Sequence, residues 1–229
     1  MKDYKLKKEI TERNKKWKIV ALKRLLITPI TDGPHETPTL LDEGIPFLSA
    51  ESVKDGVINF NKKRGYISAY DHKRFSKKCL PQKNDIFVVK SGATTGKVAF
   101  VNTDKEFSIW SPLALIRADK EKVDPYYLYY FISSPAFFTQ VETGWNYGTQ
   151  QNIGMKVMEN LLIAVPPLKD QKTIYNFLDQ KVTEIDSLIA EKEKLINKLK
   201  EYRQSLIYEA VTGKIDVQDM IDEMEKEEV

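Results

Sequence analysis

Apolar positions in the first two thirds of the chain come in short runs, broken by Gly, Pro, Asn and Asp. "IPFLSA" (45–50), "GVINF" (56–60), "DIFVV" (85–89), "KVAFV" (97–101), "LALIRA" (113–118) and "NLLIAV" (160–165) are rich in β-branched and aromatic residues, which predicts strands. "DPYYLYYFISSPAFF" (124–138) predicts one aromatic helix, with Asp124 as its N-cap, Pro125 in its first turn and its rings packed on the sheet. After Pro166-Pro167 the pattern changes, and from 170 to 210 there is no Gly or Pro. The fold class is therefore α/β (α+β): a globular domain over 19–168 followed by a long coiled-coil-forming α-helix over 169–213. A basic N-terminal segment (1–18) and an acidic C-terminal tail (214–229) flank them.

The helix carries a heptad seam. With Leu178, Ile185, Lys192, Leu199 and Leu206 at d and Val182, Ile189, Ile196, Arg203 and Ala210 at a, eight of ten positions are apolar. A seam this long needs a partner helix, and Gly213 supplies its left-handed stop. If two copies run antiparallel with Leu178 near Ala210, the dyad falls near Lys194, where "EKEK" (191–194) pairs its charges with its own copy. A parallel pair would set Lys192 against Lys192, so the pattern favours antiparallel pairing.

"KSGATTGKVAF" (90–100) looks at first like a phosphate-binding loop. That loop needs four residues between its glycines, a hydroxyl after the lysine, and a helix that follows. Here Gly92 and Gly96 enclose three residues, Val98 follows Lys97, and strand-like runs lie on both sides, so the stretch predicts a β-hairpin.

The net charge of +3 is unevenly spread. Residues 216–229 carry −6, leaving +9 elsewhere; residues 2–18 hold eight Lys/Arg, and residues 62–90 hold nine against Asp71 and Asp85. Clustered positive charge attracts polyanions by releasing their counterions. The longest apolar runs fall far short of a membrane span, and no apolar stretch follows the basic start, which argues against a membrane or a secretory leader. Cys79 is the only cysteine, which suits a reducing cytoplasm. His35 and His72 are 37 residues apart and read as turn or surface residues, not metal ligands. "VPPL" (165–168) lacks the Asn and the aromatic of an adenine methyltransferase loop, and "DHK" and "DQK" are chance echoes of nuclease triplets. No catalytic constellation emerges, so the chain is not expected to be an enzyme.

Taken in order, several motifs resemble the specificity subunit of type I restriction–modification systems. They are Trp17, "TDGPH" (31–35), "DEGIPFLSAESVKDGVI" (42–58), "YISAYDHKRF" (66–75), "NDIFVVKSGATTGKVAFV" (84–101), "GWNYGTQQNIGMKVMENLLIAVPPL" (144–168) and the helix through "LIYEAVTGKID". The resemblance implies that residues 19–168 are a target recognition domain and that the helix is the family's conserved helical region. The usual subunit has two of each, packed with pseudo-two-fold symmetry, and this chain has one of each. It is therefore expected to be a half-subunit that dimerises, or a fragment of a longer one.

The resemblance implies partners: double-stranded DNA, an adenine methyltransferase (modification) subunit and a restriction subunit, with S-adenosylmethionine, ATP and magnesium held by those partners and not by this chain. An antiparallel homodimer would read an inverted repeat interrupted by an unread spacer. A helix of this length spans roughly 55 Å, at most about 15 base pairs between half-sites. Phosphate contacts are expected from Lys62, Lys63, Arg64, Lys73, Arg74 and Lys90. Base or groove contacts are expected from Trp145, Asn146, Tyr147, Thr149, Gln150 and Gln151, and from Thr94 and Thr95 at the hairpin tip. The acidic tail reads as a solvated end, with docking to the methyltransferase as the rival. A second reading of the whole chain is a coiled-coil assembly protein whose head binds another protein.

Overall fold

The computed structural model of the chain describes residues 16–143, 152–216, 218 and 221. In chain order the strands are β1 (Lys18–Ala21), β2 (Thr31–Asp32), β3 (Ile45–Leu48), β4 (Val53–Lys54), β5 (Val57–Ile58), β6 (Gly65–Ile67), β7 (Ile86–Val89), β8 (Val98–Phe100), β9 (Ser108–Ile109), β10 (Leu113–Ile116) and β11 (Leu162–Val165). The helices are α1 (Ala69–Ser76), α2 (Pro125–Ile132), α3 (Pro135–Thr143), α4 (Met155–Asn160) and α5 (Leu168–Val211).

The central sheet is antiparallel, in the order β2-β10-β7-β8. Its inner strands "IFVV" and "LALI" are apolar at every position because both faces of the sheet are covered. Ile86, Val88, Phe100, Ala114 and Ile116 face one core, with Leu128, Ile132 and Phe137 from α2 and α3 and Ile163 from β11. Phe87, Val89, Ala99, Leu113 and Leu115 face the other, against Leu48, Phe107 and Ile109. Full burial of one such side chain contributes about 1.5–3 kcal/mol. A smaller sheet, β6-β3-β9, packs Phe47 and Ile67 against Phe75 of α1.

The β7–β8 hairpin forms as expected, with Ile86 opposite Phe100 and Val88 opposite Val98. Gly92 and Gly96 take φ of +103° and +94° in its turn, which fits glycine's freedom there. The aromatic helix forms as two helices, since Pro135 cannot continue the first and instead opens the second. Asp124 caps α2 by accepting from the Tyr126 and Tyr127 amides at 2.9 and 3.4 Å. Tyr126 stacks on Phe100 of β8 at 4.5 Å between centroids, and Tyr127, Leu128 and Ile132 are buried. His72 is not the turn or surface residue expected: it is buried, with Nδ1 2.8 Å from Ser108 Oγ and Nε2 2.9 Å from Glu106.

The chain divides into two compact units, Met1–Tyr175 and Asn176–Val229. The first turns of α5 therefore belong to the head. Gln171 is buried, accepting from the Asp124 amide at 2.7 Å and donating to the Pro166 carbonyl at 2.8 Å. Tyr175 continues the aromatic stack onto Tyr126 at 5.2 Å. Within the second unit the seam residues Val182, Ile185, Ile189, Ile196, Leu199 and Leu206 are all exposed. No helix among the described residues is long and apolar enough to cross a membrane.

Candidate nucleic-acid interface

The positive cluster at 62–90 separates into cations that hold the fold and cations that face outward. Lys90 belongs to the first group. It extends from the end of β7 into the protein, where its ammonium lies 3.1 Å from Oδ2 of the buried Asp32. Lys78 reaches Oδ1 of the same carboxylate and the Gly33 carbonyl, and His35 approaches Oδ2 at 3.3 Å. Burial alone would raise the Asp32 carboxyl; hydrogen bonds and charge from Lys78 and Lys90 outweigh it and hold the group below the usual carboxylate range. The neighbouring Gly33 has no room for a side chain, since a Cβ there would lie 1.9 Å from the Ile109 carbonyl oxygen. "TDGPH" is thus a packing element under the site. The buried position of Lys90 takes it out of the set that can touch phosphate.

Arg74 is also engaged, since its guanidinium meets Glu36 and, at 2.9 Å, Asp71, and Lys83 pairs with Asp104 at 3.1 Å. Lys62, Arg64, Lys73 and Lys77 are exposed and make no ion pair among the described residues; Lys77 was not among the expected contacts. Lys62 ends a single 3-10 turn whose N-cap, Asn59, accepts from the Asn61 amide. Lys63 lies 4.6 Å over the Tyr66 ring, and the Arg64 guanidinium lies 4.0 Å over Trp110. Stacking restrains the Arg64 fork while leaving its edge donors open, so less side-chain entropy is lost on contact with an anion or a base. Trp110 was not anticipated, because a lone Trp between strands gives no signal of the arginine it will meet.

The backbone links these cations to the hairpin turn. Two residues after Trp110, the Pro112 carbonyl accepts from the Lys90 amide at 2.8 Å. The next residue, Ser91, bridges to Asn152, and the Ile153 amide donates to the Lys90 carbonyl at 2.8 Å. In the turn itself Thr94 and Thr95 are half-buried, and Thr95 Oγ1 donates to the Gly92 carbonyl at 2.6 Å. Trp145, Asn146, Tyr147, Thr149, Gln150 and Gln151 lie outside the described residues. Their segment rejoins the described chain at Asn152, beside the root of the Gly-rich turn.

The described residues include no group of three His, Cys, Asp or Glu side chains placed to hold a metal ion. On α5, Ile185, Leu188, Ile189, Lys192, Glu193 and Ile196 line an apolar groove of about 330 Å3. Leu188, Leu195 and Tyr202, all exposed, take g positions beside the a/d seam. The apolar stripe is therefore wider than the sequence assignment made it.

The model of the type I restriction modification DNA specificity domain matches residues 14–201. The type I restriction enzyme EcoBI specificity subunit of Escherichia coli is 22% identical over 204 residues, covering 88% of this chain and 42% of that protein. A putative type I restriction enzyme MjaX specificity subunit of Methanocaldococcus jannaschii is 28% identical over 212 residues, covering 90% and 48%. The fold resembles a chain solved in a study of assembly and conformational transition of a type I R-M system, with a TM-score of 0.65 at 20% identity, over 85% of this chain and 45% of that one. It also resembles the HsdS subunit of Thermoanaerobacter tengcongensis, with a TM-score of 0.56 at 19% identity, over 78% and 46%. The chain spans less than half the length of these curated relatives.

Proposed function

The chain belongs to the type I restriction modification DNA specificity domain family, and from that premise we propose that it acts as the sequence-specific DNA-recognition subunit of a type I complex and dimerises through its long helix. Two copies pair antiparallel through α5 and present two identical heads to an interrupted inverted repeat. The observation that carries this reading is the exposed a/d seam of α5, from Val182 to Leu206, which a second helix of the same kind would bury.

In each head the exposed cations Lys62, Arg64, Lys73 and Lys77, with the half-buried Lys63, contact phosphates, which sets the position on the duplex. The residues of the polar segment 145–151 and of the Gly-rich turn supply base or groove contacts. The chain directs chemistry and performs none. An adenine methyltransferase subunit and a restriction subunit dock on it, bringing S-adenosylmethionine, ATP and magnesium. The g-position side chains Leu188, Leu195 and Tyr202 support such docking, because a two-helix seam leaves them at its flank.

Selection from random duplex DNA, using the chain together with its methyltransferase subunit, tests the reading. An enriched inverted repeat with an unread spacer is expected. No enrichment from an assembled complex would remove DNA recognition and leave a coiled-coil assembly protein whose head binds protein.

A further inference from the structure

We infer that α1 is the groove-facing helix of the head, with Tyr70 on base edges and Lys73 and Lys77 on the phosphates beside it. The inference rests on the DNA-recognition reading above and deepens it by naming the helix and the reader. α1 has a buried side and an open side. Its buried side is His72 and Phe75. Tyr70 is 76% exposed, more than any other Phe, Trp or Tyr among the described residues. At about 100° per residue, Lys77 falls within about 20° of Tyr70 around the helix, Lys73 about 60° to one side and Arg74 about 40° to the other. Lys77 keeps this geometry, because it closes the helix with φ −62° and ψ −31°.

The open side therefore sets one aromatic ring among cations. Lys73 and Lys77 are exposed and make no ion pair among the described residues. Glu36 and Asp71, the carboxylates beside this face, are both matched by Arg74. The Tyr70 hydroxyl makes no hydrogen bond among the described residues. A phenol both donates and accepts, and its ring has few torsions to freeze on contact. Drawn onto a duplex by its lysines, such a face puts the ring against the groove and the hydroxyl within reach of a base edge.

The helix is held firmly enough to read. Ser68 Oγ caps it by accepting from the Asp71 amide at 3.0 Å. His72 ties it to Ser108 and Glu106, and the Phe75 ring lies 6.1 Å from that of Phe47. Readers carried on a rigid element are placed more precisely than those on a loop. Its eight residues span about 12 Å, close to the width of the major groove. Trp110, which carries the Arg64 guanidinium, packs against the same Phe47, Ile67 and Phe75 cluster. Arg64 and α1 thus belong to one sub-core, and positive charge spread across such a surface fits a phosphate backbone.

Selection from random duplex DNA tests the inference, run with the methyltransferase complex of wild type, Tyr70→Ala and Lys73→Ala. Tyr70→Ala should relax base preference within each half-site by about tenfold, with the salt slope and the melting midpoint of the head unchanged. Lys73→Ala should weaken all sequences alike and lower the slope. An unchanged motif for Tyr70→Ala overturns the inference and leaves DNA recognition standing. So does a uniform loss of affinity, which would put Tyr70 on the backbone, or loss of the methyltransferase from the complex, which would put it against protein. A wild-type complex that enriches nothing removes the DNA-recognition reading and this inference with it.

Discussion

Lys90 Nζ lies 3.1 Å from Asp32 Oδ2, and both residues are buried. A lysine in a basic cluster is thereby a strut between β7 and the β2 loop. Asp32→Asn leaves the Lys90 ammonium buried without its countercharge and should cost about 3 kcal/mol of head stability, read by denaturant unfolding. The pH dependence has the matching sign. Because the folded head holds the Asp32 carboxyl below its unfolded value of about 3.9, its contribution is complete above that pH and is lost as pH falls through the lower folded value. Wild type should lose stability below about pH 4, and Asp32→Asn should lose less over the same window.

The split of the basic cluster predicts unequal effects on DNA binding. Arg64→Ala and Lys73→Ala should each reduce the log–log salt slope by about 0.9, the value for one released phosphate contact. Lys90→Ala should leave the slope unchanged while lowering thermal stability. Arg74→Ala should fall between, since Glu36 and Asp71 already compete for its charge. Titration of each variant at several salt concentrations measures the slopes, and an unchanged slope for Arg64→Ala would contradict its assignment.

A charge in the middle of the seam separates the two units. Ile189→Asp places a carboxylate at an a position that the proposed dimer buries, a cost of several kcal/mol. The dimer constant should weaken at least about a hundredfold. Head unfolding should keep its midpoint, because Met1–Tyr175 is a compact unit of its own. Sedimentation and thermal melts report the two results separately.

Cys79 should be inert. Burial, with Asp85 nearby, pushes its thiol up to about 12, so little thiolate exists at neutral pH. Its reaction with a disulfide reagent should follow the opening of the head and become immediate in denaturant. Fast labelling of the folded chain would show that the core around Phe87 and Leu113 opens readily.

The chain's patterning alone determined the strand runs, the β7–β8 hairpin, the Asp124 cap and the long helix with its a/d seam. Each is a local property: side-chain periodicity, turn residues and caps act over a few positions. The ordered motifs from Trp17 to "LIYEAVTGKID" were enough to point to the family. The tertiary structure alone decided what each cation does. Lys90, Arg74 and Lys73 look alike in a basic run, but one is buried on Asp32, one is held by two carboxylates and one is exposed. The same is true of Arg64 on Trp110 and of Ser91 beside Asn152, pairs 46 and 61 residues apart. A charge's role depends on the countercharge and the solvent it meets, and those are set by chain crossings that short-range patterning does not encode.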